Sequence, residues 1–293
     1  MPRQERLPRP IGKGGSWVKP CLNPSLVRTR DLEAYLDIAA QAGYTAVEAD
    51  VGAVVALVRA QGMRAVRKLF RDRGIELGSF GLPVDVHAEE AVFRAGLERL
   101  PEAAAVAAEL GARSACTWLW PSVDELPVPY ASRLAVRFRR CAEVLAACGL
   151  RLGLEFVGPH HLRGRAYPFV YTMADTLAYI DGIGAPNIGL LLDSYHWYTT
   201  EATAEDIRRI PVHRIAHVHV NDTDRPPAEA VDNERLLPGE GRIPLAAFFT
   251  ALADIGYAGP VSIEVLRKEP FAEPDLEVAR RALAGLRRVL AAV

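Results

Sequence analysis

Eight short apolar or β-branched runs, each followed by an Ala/Leu/Arg/Glu-rich stretch of helical period, recur along the whole chain, and this alternation limits the fold most. The strand-like runs fall at 17–22, 46–49, 76–80, 114–119, 151–156, 188–193, 215–220 and 261–265. The helical stretches fall at 31–42, 54–72, 88–110, 133–147, 173–183, 245–255 and 274–291, with a shorter, less regular connector after Asp193. Strand and helix in strict alternation build a parallel sheet, and eight such units close into a barrel. The expected fold is α/β, a single (β/α)8 TIM barrel. Gly43, Gly111 and Gly256 each stop a helix just before a strand, as helix-to-strand turns require.

With 293 residues and half of them hydrophobic, the chain can fill one large core, and no shift in composition marks an internal boundary. The expected organisation is a loose N-terminal tail over 1–14, polar and rich in Pro and Gly, and a catalytic barrel over 15–293. The polar, Pro-rich loop 223–237 reads as a surface loop at the mouth of the barrel. A net charge of −1, from 35 basic and 36 acidic residues, gives no field to hold a polyanion, so nucleic acid is disfavoured as a partner. No apolar run reaches the roughly 18 residues of a membrane span, and no apolar segment of a signal peptide opens the chain. Cys21, Cys116, Cys141 and Cys148 show no paired spacing and read as reduced thiols of a cytoplasmic protein.

In a barrel, only the carboxyl ends of the strands open onto the catalytic face. Glu155 closes the run LGLEF, Asp193 closes IGLLLD, and Glu264 lies between apolar neighbours at the end of the last strand. IAHVHV sets His217 and His219 on one face, with His219 nearer the catalytic end. Three carboxylates and an imidazole converging at one rim, with no matching set of cations at the strand ends, would repel one another. A divalent cation resolves that repulsion. One imidazole with three carboxylates suits Mn²⁺ first, with Mg²⁺ or Co²⁺ compatible, rather than a structural zinc site built on thiolates. His217, deeper in its strand, reads as a packed histidine or a support to a ligand, Cys116 as barrel filling, and Trp118 as pocket wall. LPGEGRI has the glycines of a phosphate loop without its preceding strand or following lysine, and reads as a turn delivering the next helix.

At these residues the chain resembles the xylose-isomerase-like superfamily of sugar phosphate isomerases and epimerases. The resemblance runs from about Asn23 to the C-terminus and is carried by LGLEF, GLLLDSYHWY, IAHVHVND and LPGEGRIPLAAFFTALADIGYAGPVSIEV, in that order. It implies that Glu155, Asp193, His219 and Glu264 hold one metal ion, that Glu155 and Glu264 also exchange a substrate proton, and that His196 and Arg225 bind substrate oxygens. It also implies a carbohydrate-like substrate and a homodimer or tetramer. His161 stands where ketose epimerases of this family carry a further carboxylate, so it is a candidate substrate contact, as is Trp118, and the substrate class stays broad. His160, Arg163 and Arg165 on the same loop would meet a carboxylate or phosphate. The leading expectation is a metal-dependent isomerase or epimerase acting through an enediolate. The alternatives are a metal-dependent dehydratase of an inosose- or dehydroshikimate-type substrate, and a barrel subunit working beside a partner protein.

Overall fold

The computed structural model describes residues 17–293. The tail expected over 1–14 lies outside them. Eight parallel strands close into one barrel: β1 Lys19–Leu22, β2 Ala46–Ala49, β3 Glu76–Gly81, β4 Ser114–Leu119, β5 Arg151–Phe156, β6 Ile188–Asp193, β7 Ile215–Val220 and β8 Pro260–Ile263. Each strand pairs with its neighbours in sequence, and β1 closes the ring against β8. The helices α1 Leu32–Ala42, α2 Val51–Gln61, α3 Met63–Asp72, α4 Glu90–Glu109, α5 Pro127–Ala146, α6 Met173–Ile183, α7 Ser194–Thr199, α8 Ala204–Arg208, α9 Leu245–Asp254 and α10 Asp275–Leu290 form the outer layer.

Local chemistry explains most boundaries. Asp31 caps α1 by accepting from Ala34 N–H, and Gly43 ends it at φ +93°, a conformation that costs glycine little. Thr172 and Gly184 do the same for α6. The single helix expected over 54–72 is two helices, because Gly62 sits at φ +83° and interrupts the hydrogen-bond ladder between α2 and α3. The helix expected at 133 begins a turn and a half earlier, since Pro127 occupies the first helical position, where its missing N–H costs nothing. The last strand ends at Ile263, so Glu264 lies one residue beyond it. Glu264 N–H still donates to Val220 O, and the side chain stays at the rim.

Part of the lumen is packed too closely for anything larger than glycine. A Cβ on Gly153 would stand 2.8 Å from Cys116 Sγ, so the strand that ends in Glu155 has glycine where its neighbours leave no room. Two register shifts, at Val47/Glu48 and at Leu190/Leu191, re-aim the ends of β2 and β6. No described helix is long and apolar enough to cross a membrane, and all four cysteines are free.

Candidate metal centre

Four strand ends meet at the carboxyl mouth. Register places Asp193 beside His219, and Trp118 beside Glu155. Ligand-type atoms of Glu155, Asp193, His219 and Glu264 all lie within 4.8 Å of one another. His219 Nδ1 is their hub, 3.4 Å from Glu264 Oε2, 3.6 Å from Glu155 Oε1 and 3.9 Å from Asp193 Oδ2. His219 Nδ1 and Glu155 Oε1 are both buried and without a hydrogen-bond partner. Buried polar atoms are almost always satisfied, so an imidazole nitrogen and a carboxylate oxygen turned toward one shared point fit a cation there once Nδ1 gives up its proton.

The sequence shows no matching set of cations at the strand ends, and none of the described strands ends in a cation. Arg235 brings one in from the loop 223–237. Its guanidinium is 1% exposed, and Nη1 donates to Asp193 Oδ2 at 2.9 Å and to Glu264 Oε2 at 3.0 Å, while Nη2 donates to Asp232 Oδ1 at 2.7 Å. The guanidinium carbon sits 4.8 Å over the Tyr195 ring. The candidate ligands Glu155, Asp193 and Glu264 with Arg235 sum to a formal −2, and Asp232 on the same guanidinium brings the group to −3, most of which a divalent ion offsets. Asp193 Oδ1 accepts from Tyr195 N–H as the cap of α7, Asn221 Nδ2 donates to both oxygens, and Oδ2 also takes the Arg235 bond.

The charges set the protonation states. Burial would raise the Asp193 carboxyl, but the charges of Arg235, His196 and His219 bring it down to about 2. Burial raises Glu155 above its ordinary 4.5. Burial alone would push the His219 imidazole down, yet Glu264, Glu48 and Glu155 hold it well above the ordinary 6.5.

Of the other sequence candidates, His196 arrives at the site and three do not join its four-residue cluster. His196, on α7, is 1% exposed; its Nδ1 accepts from Gly158 N–H, and its Nε2 lies 3.4 Å from Arg235 Nη2 and 3.8 Å from Glu155 Oε1. Arg225 points to Glu234 at 2.6 Å in the surface loop. His161 is exposed on the turn His160–Leu162, which packs against the turn Pro227–Glu229. Trp118, 45% exposed, stands at the mouth with His87 and Trp120, ring centroids 6.1–6.2 Å apart, and Arg165 stacks on Trp120 at 4.8 Å. Arg163 is spent on Gly158 O, Thr199 O and the Tyr171 ring. LPGEGRI wraps the Asp222 carboxylate, which accepts from Gly239, Gly241 and Ile243 N–H. Those amides are therefore not free for a phosphate.

Sequence reasoning missed Arg235 and Glu48. Arg235 lies in a loop of charged residues where nothing in the pattern singles it out. Glu48 did carry a signal, a carboxylate inside the short apolar run of β2, as Glu155 is in β5.

The family model described as "Xylose isomerase-like TIM barrel" matches residues 36–289. A xylose isomerase domain protein from Alicyclobacillus acidocaldarius has 44% identity and a TM-score of 0.90, covering 94% of this chain and 99% of that one. The inosose isomerase of Bacillus subtilis is 29% identical over 144 residues, 48% of this chain and 50% of that protein. This chain thus spans about half the length of the first curated relatives it matches. The L-ribulose 3-epimerase of Mesorhizobium japonicum is 31% identical over 210 residues, covering 69% of this chain and 66% of that one.

Proposed function

The chain belongs to the xylose isomerase-like TIM barrel family, and from that premise we propose that it is a divalent-metal-dependent isomerase or epimerase of a small sugar-like hydroxy-ketone. The observation that carries the reading is the convergence of Glu155, Asp193, His219 and Glu264 around two buried, unpartnered ligand atoms. In this proposal the four residues hold one ion, Mn²⁺ before Mg²⁺ or Co²⁺, in a single catalytic domain that begins near residue 15 and works in the cytoplasm. When bound, the ion supplies Lewis-acid polarisation of a carbonyl and its neighbouring hydroxyl.

The residues do the rest. Glu155, buried beside the ion's position, removes the C–H proton between the two oxygens. The C–H electron pair moves into the C=C bond of an enediolate as the carbonyl oxygen takes the charge. The enediolate is reprotonated by Glu155 with the proton it took, or from the other side by Glu264, held by Arg235 Nη1, after Glu264 takes a proton from the substrate hydroxyl or solvent and Glu155 gives its own up by the same route. Delivery by Glu264 to the same carbon inverts it, and delivery to the adjacent carbon moves the carbonyl. His196 hydrogen-bonds a substrate oxygen beside Glu155, Trp118 walls the sugar face, and Arg225 and His161 engage the substrate only from the rim. Expulsion of a β-hydroxyl from the same enediolate would make a lyase. The loop that would favour it commits Arg163 to backbone carbonyls, so the isomerase reading leads.

The test is solvent exchange. Incubated with Mn²⁺ and a panel of ketoses and inososes in D₂O, the protein is expected to place deuterium at the carbon next to the carbonyl and to form an epimer or isomer. Turnover without deuterium uptake refutes the enediolate route, and an ultraviolet-absorbing enone identifies the lyase.

Ion affinity carries a pH signature. His219 has a raised pKa, so in the metal-free protein its proton stabilises the fold below the ordinary imidazole value and that stabilisation is lost as pH rises through the raised value. The same proton competes with the ion for Nδ1. Mn²⁺ affinity should therefore rise by up to about tenfold per pH unit below the His219 pKa, with release of one proton on binding. Calorimetry in buffers of differing ionisation enthalpy measures that release, and pH-independent binding contradicts the assignment of Nδ1 as ligand.

A further inference from the structure

Below the four-residue centre, one carboxylate crosses the barrel. Glu48 extends from β2 to β7, strands separated around the ring by β1 and β8, and a single oxygen, Oε1, lies 2.8 Å from His217 Nε2 and 2.9 Å from His219 Nε2. All three side chains are buried. The Glu48 backbone is fixed in turn: its carbonyl is 2.9 Å from the Tyr35 hydroxyl, which also sits 2.7 Å from Leu22 O. The shift in register just before Glu48 occurs where its side chain must enter the lumen.

Glu48, His217 and His219 also bring ligand-type atoms within 4.8 Å of one another, so they are a second candidate for an ion. Their geometry speaks otherwise. One oxygen at hydrogen-bond distance from two ring nitrogens is two N–H donors on one acceptor. An ion at that point would also take His219 through Nε2, leaving Nδ1 unpartnered amid three carboxylates.

We propose that Glu48 is the positioning residue of the metal centre: by accepting the Nε2 protons of both His217 and His219, it holds His219 in the one tautomer and ring orientation that turn an unprotonated Nδ1 toward Glu155, Asp193 and Glu264. This rests on the metal-binding reading above. The carboxylate acts twice. It bars the tautomer with the proton on Nδ1, and by drawing on Nε2–H it makes Nδ1 a stronger donor to a cation. His217 completes the arrangement by fixing Glu48 Oε1 from below, at the level of the lumen where Leu191 faces it in register.

The experiment is Mn²⁺ titration followed by the electron paramagnetic resonance of the free ion, on wild type and Glu48→Gln. The amide keeps the shape, removes the charge and replaces one acceptor oxygen by an NH₂ donor, so the acceptor for both histidines is neutral and no longer obligatory. Affinity is expected to fall about 10- to 100-fold, the range found when such supporting partners of metal-bound histidines are lost. Binding within threefold of wild type in a folded variant overturns the proposal while leaving the metal centre standing. Wild type that binds neither Mn²⁺ nor Co²⁺ instead removes the functional reading itself. A second measurement needs no variant: ¹⁵N-edited histidine spectra of the Zn²⁺-loaded wild type should show His217 and His219 each protonated on Nε2 and slow to exchange. His217 is not a proposed ligand, so its tautomer reports on Glu48 alone, and a proton on its Nδ1 overturns the proposal even if Glu48→Gln does not fold.

Discussion

Glu155→Gln is expected to cut turnover by about 10²- to 10⁴-fold, the usual worth of a general base, while the barrel stays folded. The amide fills the same volume at the end of β5 but cannot take a proton from carbon. It also removes a cost. Burial raises the Glu155 pKa above 4.5, so at neutral pH the ionised carboxylate opposes folding. For a carboxylate shifted upward, the favourable contribution exists below the unfolded value and is lost as pH rises through the folded one. The metal-free variant should therefore melt above wild type at pH 7 and lose that advantage below about pH 4. Loss of turnover with equal or higher stability separates chemistry from structure. A variant that retains wild-type kcat on the substrate found by deuterium exchange, or that melts lower at pH 7, sinks the assignment of Glu155 as buried base.

The same residues show how far the sequence reaches. The strands β4 to β7 were readable to the residue, because each is a short run dominated by apolar or small residues and bounded by turn chemistry, as a buried parallel strand requires. Glu155, Asp193 and His219 were readable for the related reason that a polar side chain closing such a run needs a cause. Gly62 was not, since a lone glycine in a helical period is tolerated as often as it breaks a helix, and the choice depends on how α2 and α3 pack. Nor was the two-stranded sheet of Ser122–Val123 and Tyr167–Pro168, whose strands are too short to carry a period. Arg235 escaped for a deeper reason. Its burial results from the loop 223–237 folding back over the mouth, where Asp222 pairs with Leu236 and Glu234 with Arg267. Composition alone describes that loop as solvated.

Arg235→Met is the variant that tests this last point, and its expected effect on stability is the largest. In the metal-free protein, Met fills most of the volume but leaves Asp193, Asp232 and Glu264 without their shared counter-charge. Breaking a buried ion pair by removing one partner costs about 3–5 kcal/mol, since the remaining charge is stranded away from water. Asp193 is fully buried and its low pKa depends chiefly on Arg235, so the loss should fall at the upper end and be largest at neutral pH. As pH drops through the acid range, wild type loses the Asp193 contribution too, and the two curves converge. A divalent ion changes the balance. With the guanidinium gone, the three proposed carboxylate ligands carry a formal −3, and Mn²⁺ becomes the remaining source of positive charge at Asp193 Oδ2 and Glu264 Oε2. Saturation at a hundred times Kd contributes about 2.7 kcal/mol, so Mn²⁺ should raise the melting temperature of Arg235→Met by more than it raises that of wild type. Thermal unfolding at pH 7 with and without Mn²⁺, and of the metal-free proteins at pH 7 and about pH 2, measures these quantities. Equal Mn²⁺ shifts in the two proteins would mean that Arg235 and the ion do not share these carboxylates, and the metal centre would have to be drawn without Asp193 and Glu264.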